Sequence, residues 1–261
     1  MKAVTLLALV VLPAAAQSAL APTGALRSAY LATNPAQVVK DPASSELRGT
    51  AIELTRELGR RLGVPVKLIS SPNPAGVIDA VSKGEADIGF VAYNPERAGP
   101  VEFSQVYLLV QQTFLVPENS AVGSVADLDQ PGRRLGAMRG DSIALYLART
   151  LKQAKIVENT DTSLEEAKRM LADGRIDAYG ANRQRLTDLL RGASGLRLLP
   201  DDLYGVEQTI IVPKGNADRL KAVNQFLDAV RATGFLRQAM ERSGVVGLSV
   251  APAGEPAAKP K

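Results

Sequence analysis

The 261-residue chain contains neither cysteine nor histidine. Without them it cannot build thiolate or imidazole metal sites, nor the Ser-His and Cys-His arrangements on which much hydrolase chemistry rests. No disulfide framework is available either, so hydrophobic cores must hold the fold. No side chain has an unperturbed pKa near neutrality to serve as a simple proton switch. Long runs of one charge are also lacking. The 31 Lys and Arg are interspersed with 27 Asp and Glu, the formal net charge is +4, and no nucleic-acid partner is expected. Beyond the amino terminus no apolar segment reaches the roughly 20 residues that a spanning helix needs.

What is present begins with a leader pattern. Met1 and Lys2 precede an apolar stretch over 3–12, then Pro13 and a small-residue region in which Ala19, Leu20 and Ala21 fit an AxA cleavage site. Residues 1–21 are therefore expected to be a secretory signal cut near Ala21, and no cysteine stands nearby for a lipid anchor. The other end, APAGEPAAKPK, is rich in Pro, Ala and Lys without periodicity, so 247–261 is expected to be a disordered tail. Its removal from residue 250 onward should leave ligand binding within about twofold.

Between these ends short helices and strands alternate. Ala51, Leu54, Leu58 and Leu62 fall at helical spacing, and Gly63 with Pro65 stops that helix before an apolar run over 66–69. The same reading predicts helices over 75–82, 143–151 and 164–171, and strands over 86–92, 113–116, 134–138, 155–157 and 177–180. A strand over 207–212, a helix carrying Leu220, Val223, Leu227 and Val230, and a short helix over 235–242 follow. Such alternation implies an α/β fold of mostly parallel sheets flanked by helices.

An internal echo suggests two similar halves: VSKGEADIGFVAYN around Gly84 resembles LADGRIDAYGAN around Gly174. In each, the glycine suits the left-handed end of a helix and an aspartate, Asp87 or Asp177, opens the next strand. Both aspartates are read as structural.

In open parallel sheets ligands bind beyond the carboxyl ends of strands. Those ends carry Tyr93, Asn94, Glu96 and Arg97 in the first half, and Arg139, Asp141, Ser142, Asn182 and Arg183 in the second. The planar fork of Arg97 suits a carboxylate, and Ser142 begins a helix whose free N–H groups favour an anion, though a capping role is nearly as good. Asp141 could cap that helix or meet a ligand's cation, and Arg183 is a secondary candidate for an anion. Tyr30 and Tyr93 could flank a ligand, with packing the simpler reading, and Glu53 suits the positive end of a helix.

The strings ADIGFVAYNPERAGPVEFSQVY, GTAIELTRELGRRLG, RRLGAMRGDS and DGRIDAYGAN together resemble the periplasmic solute-binding proteins of the polar amino acid family, over roughly residues 24–244. The resemblance implies a type 2 periplasmic-binding fold: lobe one over 22–107 and 208–246, lobe two over 108–207, two crossovers, and hinge closure on a solute. It implies a periplasmic monomer without cofactor or metal that binds a small polar or anionic solute and serves a membrane ABC permease. Arg97 matches the family's carboxylate-gripping arginine and Ser142 its hydroxyl residue at a helix start. Three positions depart. Asn182 stands where amino acid binders carry an acid for the ammonium group, Asn94 replaces a Thr, and Asn34 occupies a loop that often offers an aromatic ring. Two alternatives stay open: a periplasmic partner or sensor protein associated with a dehydrogenase or signalling system, and a lyase of the cyclohexadienyl dehydratase type with Asp141 or Glu96 as its general acid or base.

Overall fold

The computed structural model describes residues 19–41, 44–160 and 164–254. The expected leader up to residue 18 and the last seven residues, 255–261, lie outside them. The chain divides into two compact units, one within Met1–Leu108, Glu207–Gly244 and Val250–Lys261, the other Leu109–Val206 with Val245–Ser249.

In the first unit β1 (Leu26–Leu31) runs parallel to both β4 (Val66–Ser71) and β5 (Ile88–Ala92), pairing Leu26 with Val66 and Ser28 with Ile88. The unit's share of β12 (Tyr204–Pro213) lies antiparallel to β5, with Gln208 opposite Ala92, and β6 (Val101–Phe103) pairs with it. A small hairpin, β2 (Val39–Lys40) and β3 (Leu47–Arg48), leads into helix α1 (Thr50–Leu62). Helices α2 (Pro74–Ser82), α6 (Ala217–Ala232) and α7 (Phe235–Ser243) complete the unit. Ala29, Val77, Val81, Val91 and Ile211 form one core cluster that joins α2 to the sheet.

The second unit repeats the scheme. β8 (Arg134–Met138) is parallel to β9 (Lys155–Asn159) and to β10 (Ala178–Asn182), and β10 is antiparallel to β7 (Leu108–Pro117). The short strands β11 (Leu196–Leu198) and β13 (Leu248–Val250) also pair with β7. Helices α3 (Ser142–Thr150), α4 (Leu164–Ala172) and α5 (Arg183–Leu190) cover it. Consecutive residues Phe114 and Leu115 fall in different core clusters, one with Leu135, Ile143 and Leu147, the other with Met170, Tyr179 and Leu186. That is the alternation expected of a strand covered on both faces.

Both units start their sheets with one device. Asp87, fully buried, accepts the Arg27 backbone N–H at 2.9 Å and the Arg27 guanidinium at 2.7 Å. Asp177 accepts the Arg134 N–H at 2.7 Å and its guanidinium at 3.1 Å. Gly84 (φ 71°) and Gly174 (φ 63°) end the preceding helices in the left-handed conformation. The two aspartates are thus structural, as pins between neighbouring strands where turn and cap chemistry was expected.

Residues near both ends take part in the fold. Leu20 and Ala21, expected to border the cut, are buried. The segment from 247 is not featureless: Leu248–Val250 forms β13, Gln111 Nε2 donates to Ser249 Oγ at 2.9 Å, and Arg231 Nε donates to the carbonyl of buried Ala251 at 3.1 Å. Composition concealed this, because backbone pairing with β7 needs no apolar periodicity in so short a strand. Among the described residues no helix is long and apolar enough to cross a membrane.

Candidate functional site

Polar residues gather at the carboxyl ends of adjacent parallel strands within each unit. In the first unit these are β1 and β5. Beyond β1, Asn34 folds its own loop: its Oδ1 accepts the Ala36 N–H at 3.0 Å, and its Nδ2 donates to Gln208 Oε1 at 3.4 Å. Tyr30, inside β1, is buried and belongs to the core. Beyond β5, Tyr93 lies edge-on to Phe103 with centroids 5.0 Å apart, while Asn94 caps the 3-10 turn Pro95–Arg97 by accepting the Glu96 N–H at 3.0 Å. Both tyrosines therefore do the packing work that the sequence reading weighed beside ligand contact, and Asn94 caps a turn, a role the sequence reading did not consider.

Arg97 is different. Half-buried, it forms no salt bridge with any described residue, and its Nη1 donates only to the Ala92 carbonyl, at 3.3 Å. Burial lowers its pKa, partly offset by Glu96, yet a guanidinium remains cationic throughout the accessible pH range. The result is a partly desolvated positive charge at a strand end, influenced by Glu96 but in no salt bridge among the described residues.

In the second unit the strand ends are those of β8 and β10. Ser142 opens α3 and is exposed. Asp141 stands at the N-cap of α3, but its side chain makes no cap bond; Oδ2 instead meets Arg185 Nη1 at 3.3 Å. Burial raises the Asp141 pKa, with Arg185 opposing. Asn182 ends β10 and caps α5, its Oδ1 accepting the Arg185 N–H at 2.8 Å. Helix α5 was not expected from sequence, because eight residues with few apolar positions give little periodicity.

Arg183, the secondary anion candidate, has partners within its own unit. Its guanidinium meets Asp202 at 2.6 Å and donates to the Asp201 carbonyl at 2.9 Å, so it ties down the 199–202 loop. Glu53 lies in the first turn of α1 as expected, and it is also ion-paired with Arg242.

Sequence reasoning missed Tyr146, Tyr204 and Arg185 beside Asp141. Tyr146 and Tyr204 stack with centroids 4.1 Å apart at 10°. The Tyr204 phenol pKa is pushed well up by burial, then by Tyr146, with Asp141 adding to it. A signal for Tyr146 existed: it lies four residues after Ser142 and so shares its helix face. Among the described residues no cluster of acidic side chains could hold a metal ion.

Residues 26–244 match the sequence profile of the bacterial extracellular solute-binding proteins, family 3. The chain is similar to the L-arginine-binding protein of Pseudomonas aeruginosa, at 26% identity over 221 residues covering 81% of this chain and 84% of that protein. Among solved structures it resembles the Bordetella pertussis BvgS periplasmic VFT2 domain, with a TM-score of 0.69, 20% identity, and coverage of 88% and 97%. It also resembles the ancestral amino acid-binding protein AncCDT-1, a precursor of cyclohexadienyl dehydratase, with a TM-score of 0.64, 24% identity, and coverage of 87% and 98%. These structures share its α/β fold, that of the type 2 periplasmic binding proteins.

Proposed function

The chain belongs to the bacterial extracellular solute-binding proteins, family 3, and from that premise we propose that it is an exported protein that takes up a small polar solute bearing an anionic group for an ABC permease. The observation that carries the reading is Arg97: a half-buried guanidinium in no salt bridge among the described residues, reaching back to the Ala92 carbonyl at the end of β5, is suited to a carboxylate. Asp141, unused as a cap, is the acid that would meet a solute's cation by exchanging its contact with Arg185, since Asn182 has no charge to offer and spends its oxygen on α5. The protein is read as a binder and not a catalyst. Asp141 is paired with Arg185 and Glu96 is exposed, so neither is half of an acid and base pair.

Asn182 and Asn34, where the resemblance leads one to expect an acid and an aromatic ring, favour a second reading in which the chain serves a periplasmic protein partner or sensor instead of a permease. A thermal-shift screen of the purified protein against amino acids, organic acids, phosphonates and polyamines separates the two. A solute present at a hundred times its dissociation constant stabilises the folded state by about 2.7 kcal/mol. Stabilisation by a carboxylate or another anion supports the uptake reading. A screen in which no small solute raises the melting temperature favours the protein-partner reading.

A further inference from the structure

We infer that the leader is removed between Ala16 and Gln17, five residues before the Ala19-Leu20-Ala21 pattern would place the cut. This rests on the reading that the chain is exported. Leu20 is fully buried, among the largest side chains with no exposure, and Ala21 is only 5% exposed. The Ala19 carbonyl accepts a 2.7 Å hydrogen bond from Arg219 Nε, and the Ala21 carbonyl accepts one from the Gly24 N–H at 3.0 Å. Residues 19–21 are thus part of the folded first unit.

Arg219 gives this contact its weight. It lies in the first turn of α6, its side chain only 10% exposed, and its Nη1 also donates to the Asp87 carbonyl at 3.1 Å and stands 3.8 Å from Asp87 Oδ1. Asp87 is the pin between β1 and β5. A cut after Ala21 would empty the site of Leu20 and leave a buried guanidinium donor without its acceptor. It would also place the positive charge of a new amino terminus, on Pro22, close to the segment that Arg219 holds. Pro22 would moreover follow the scissile bond, and its ring has no N–H to offer an enzyme that binds an extended substrate strand.

The alternative is written in the same region. Ala14, Ala15 and Ala16 supply small residues at the third and first positions before a cut, directly after the apolar stretch and Pro13. Hydrolysis by a leader peptidase adds water across the Ala16–Gln17 amide, leaving a carboxylate on Ala16 and an ammonium group on Gln17. The mature chain then keeps Ala19, Leu20 and Ala21.

The test expresses the full chain with its own leader in a Gram-negative host and determines intact mass and amino-terminal sequence of the periplasmic product. The expected start is Gln17, or the same residue cyclised with loss of ammonia. Ala14→Lys should block processing, whereas Ala19→Lys should leave the start at Gln17. A start at Leu20 or later, or a block by Ala19→Lys, overturns the inference and leaves export standing. An unprocessed chain beginning at Met1 overturns both. As an independent measurement, a chain made to begin at Pro22 should melt about 5 °C or more below one beginning at Gln17. Equal melting temperatures would show that Leu20 is dispensable and would also overturn it.

Discussion

Asp141 and Asp177 sit in similar positions of the sequence, one before a helix and one before a strand, yet their surroundings push them in opposite directions. Burial raises the Asp141 pKa despite Arg185, so the fold binds that proton more tightly than the unfolded chain does. Its ionisation therefore costs stability as pH rises above the ordinary carboxylate range. Asp177 is also penalised by burial, but Arg134, through its guanidinium and backbone N–H, lowers its pKa below the usual value. Its contribution is present above the unfolded pKa and is lost as pH falls through the folded one. At pH 7 Asp177→Asn should therefore destabilise by about 1 to 2 kcal/mol, and Asp141→Asn should be neutral or stabilising. Urea melts at pH 7 and pH 3 check this: both differences should shrink at the lower pH. An Asp141 that behaves like Asp177 would show that it is a structural pin and not a group held for a ligand.

Asn182 offers a cleaner specificity test, because aspartate caps helices as well as asparagine does. Asn182→Asp should keep the bond to the Arg185 N–H while adding a charge at the end of β10. It should improve binding of α-amino acids and weaken binding of anions that lack an ammonium group, as read by calorimetry. The role of Asn182 as cap was not legible in the sequence, because the helix it caps shows too little periodicity to be expected. Nor was the commitment of Arg183 to Asp202, because that partner lies 19 residues away across a loop.

Among the elements, those with strong periodicity and a glycine stop were legible. Helix α1 matches its expected bounds, and the repeated helix, glycine and strand of the echo correspond to α2 with β5 and α4 with β10. What escaped was short or polar: β1, whose LRSAYL mixes both characters, the eight residues of α5, and β13. The echo makes a quantitative prediction. A Cβ at Gly84 or Gly174 would meet nothing within 4 Å, so alanine there adds backbone strain alone. Each of Gly84→Ala and Gly174→Ala should cost about 1 to 2 kcal/mol in denaturant melts. A cost near zero at either would mean that its turn relaxes out of the left-handed conformation.

The carboxyl-terminal element carries a revised expectation. Stopping the chain after Ser249 removes the acceptor that Ala251 offers Arg231 and the Gly254 N–H that reaches Gln105 Oε1 at 3.1 Å. Stability should fall by about 2 kcal/mol, counting roughly one per buried hydrogen bond. A chain that ends at Gly254 keeps both contacts and serves as the comparison. Equal melting temperatures for the two would restore the view of a dispensable tail.

At the scale of the whole molecule, each unit has its own set of parallel strands, its own core and its own aspartate pin, so the absence of cysteine is compensated by packing. Family membership was legible because its motifs lie on the turns and strand ends that build those units. The solute was not, because Asn34, Asn94 and Asn182, at positions where the resemblance implies ligand contacts, depart from the pattern. The central claim accordingly reduces to Arg97 gripping an anionic group. It is tested most directly by calorimetric titration of the wild-type, Arg97→Lys and Arg97→Ala proteins with the anionic solute that stabilises the wild type most. Losing a bidentate, charge-assisted contact should cost about 2 to 5 kcal/mol, so Arg97→Ala should bind roughly thirtyfold or more weakly, and Arg97→Lys should recover only part of the loss. An Arg97→Ala protein that binds the solute with wild-type affinity would contradict the account.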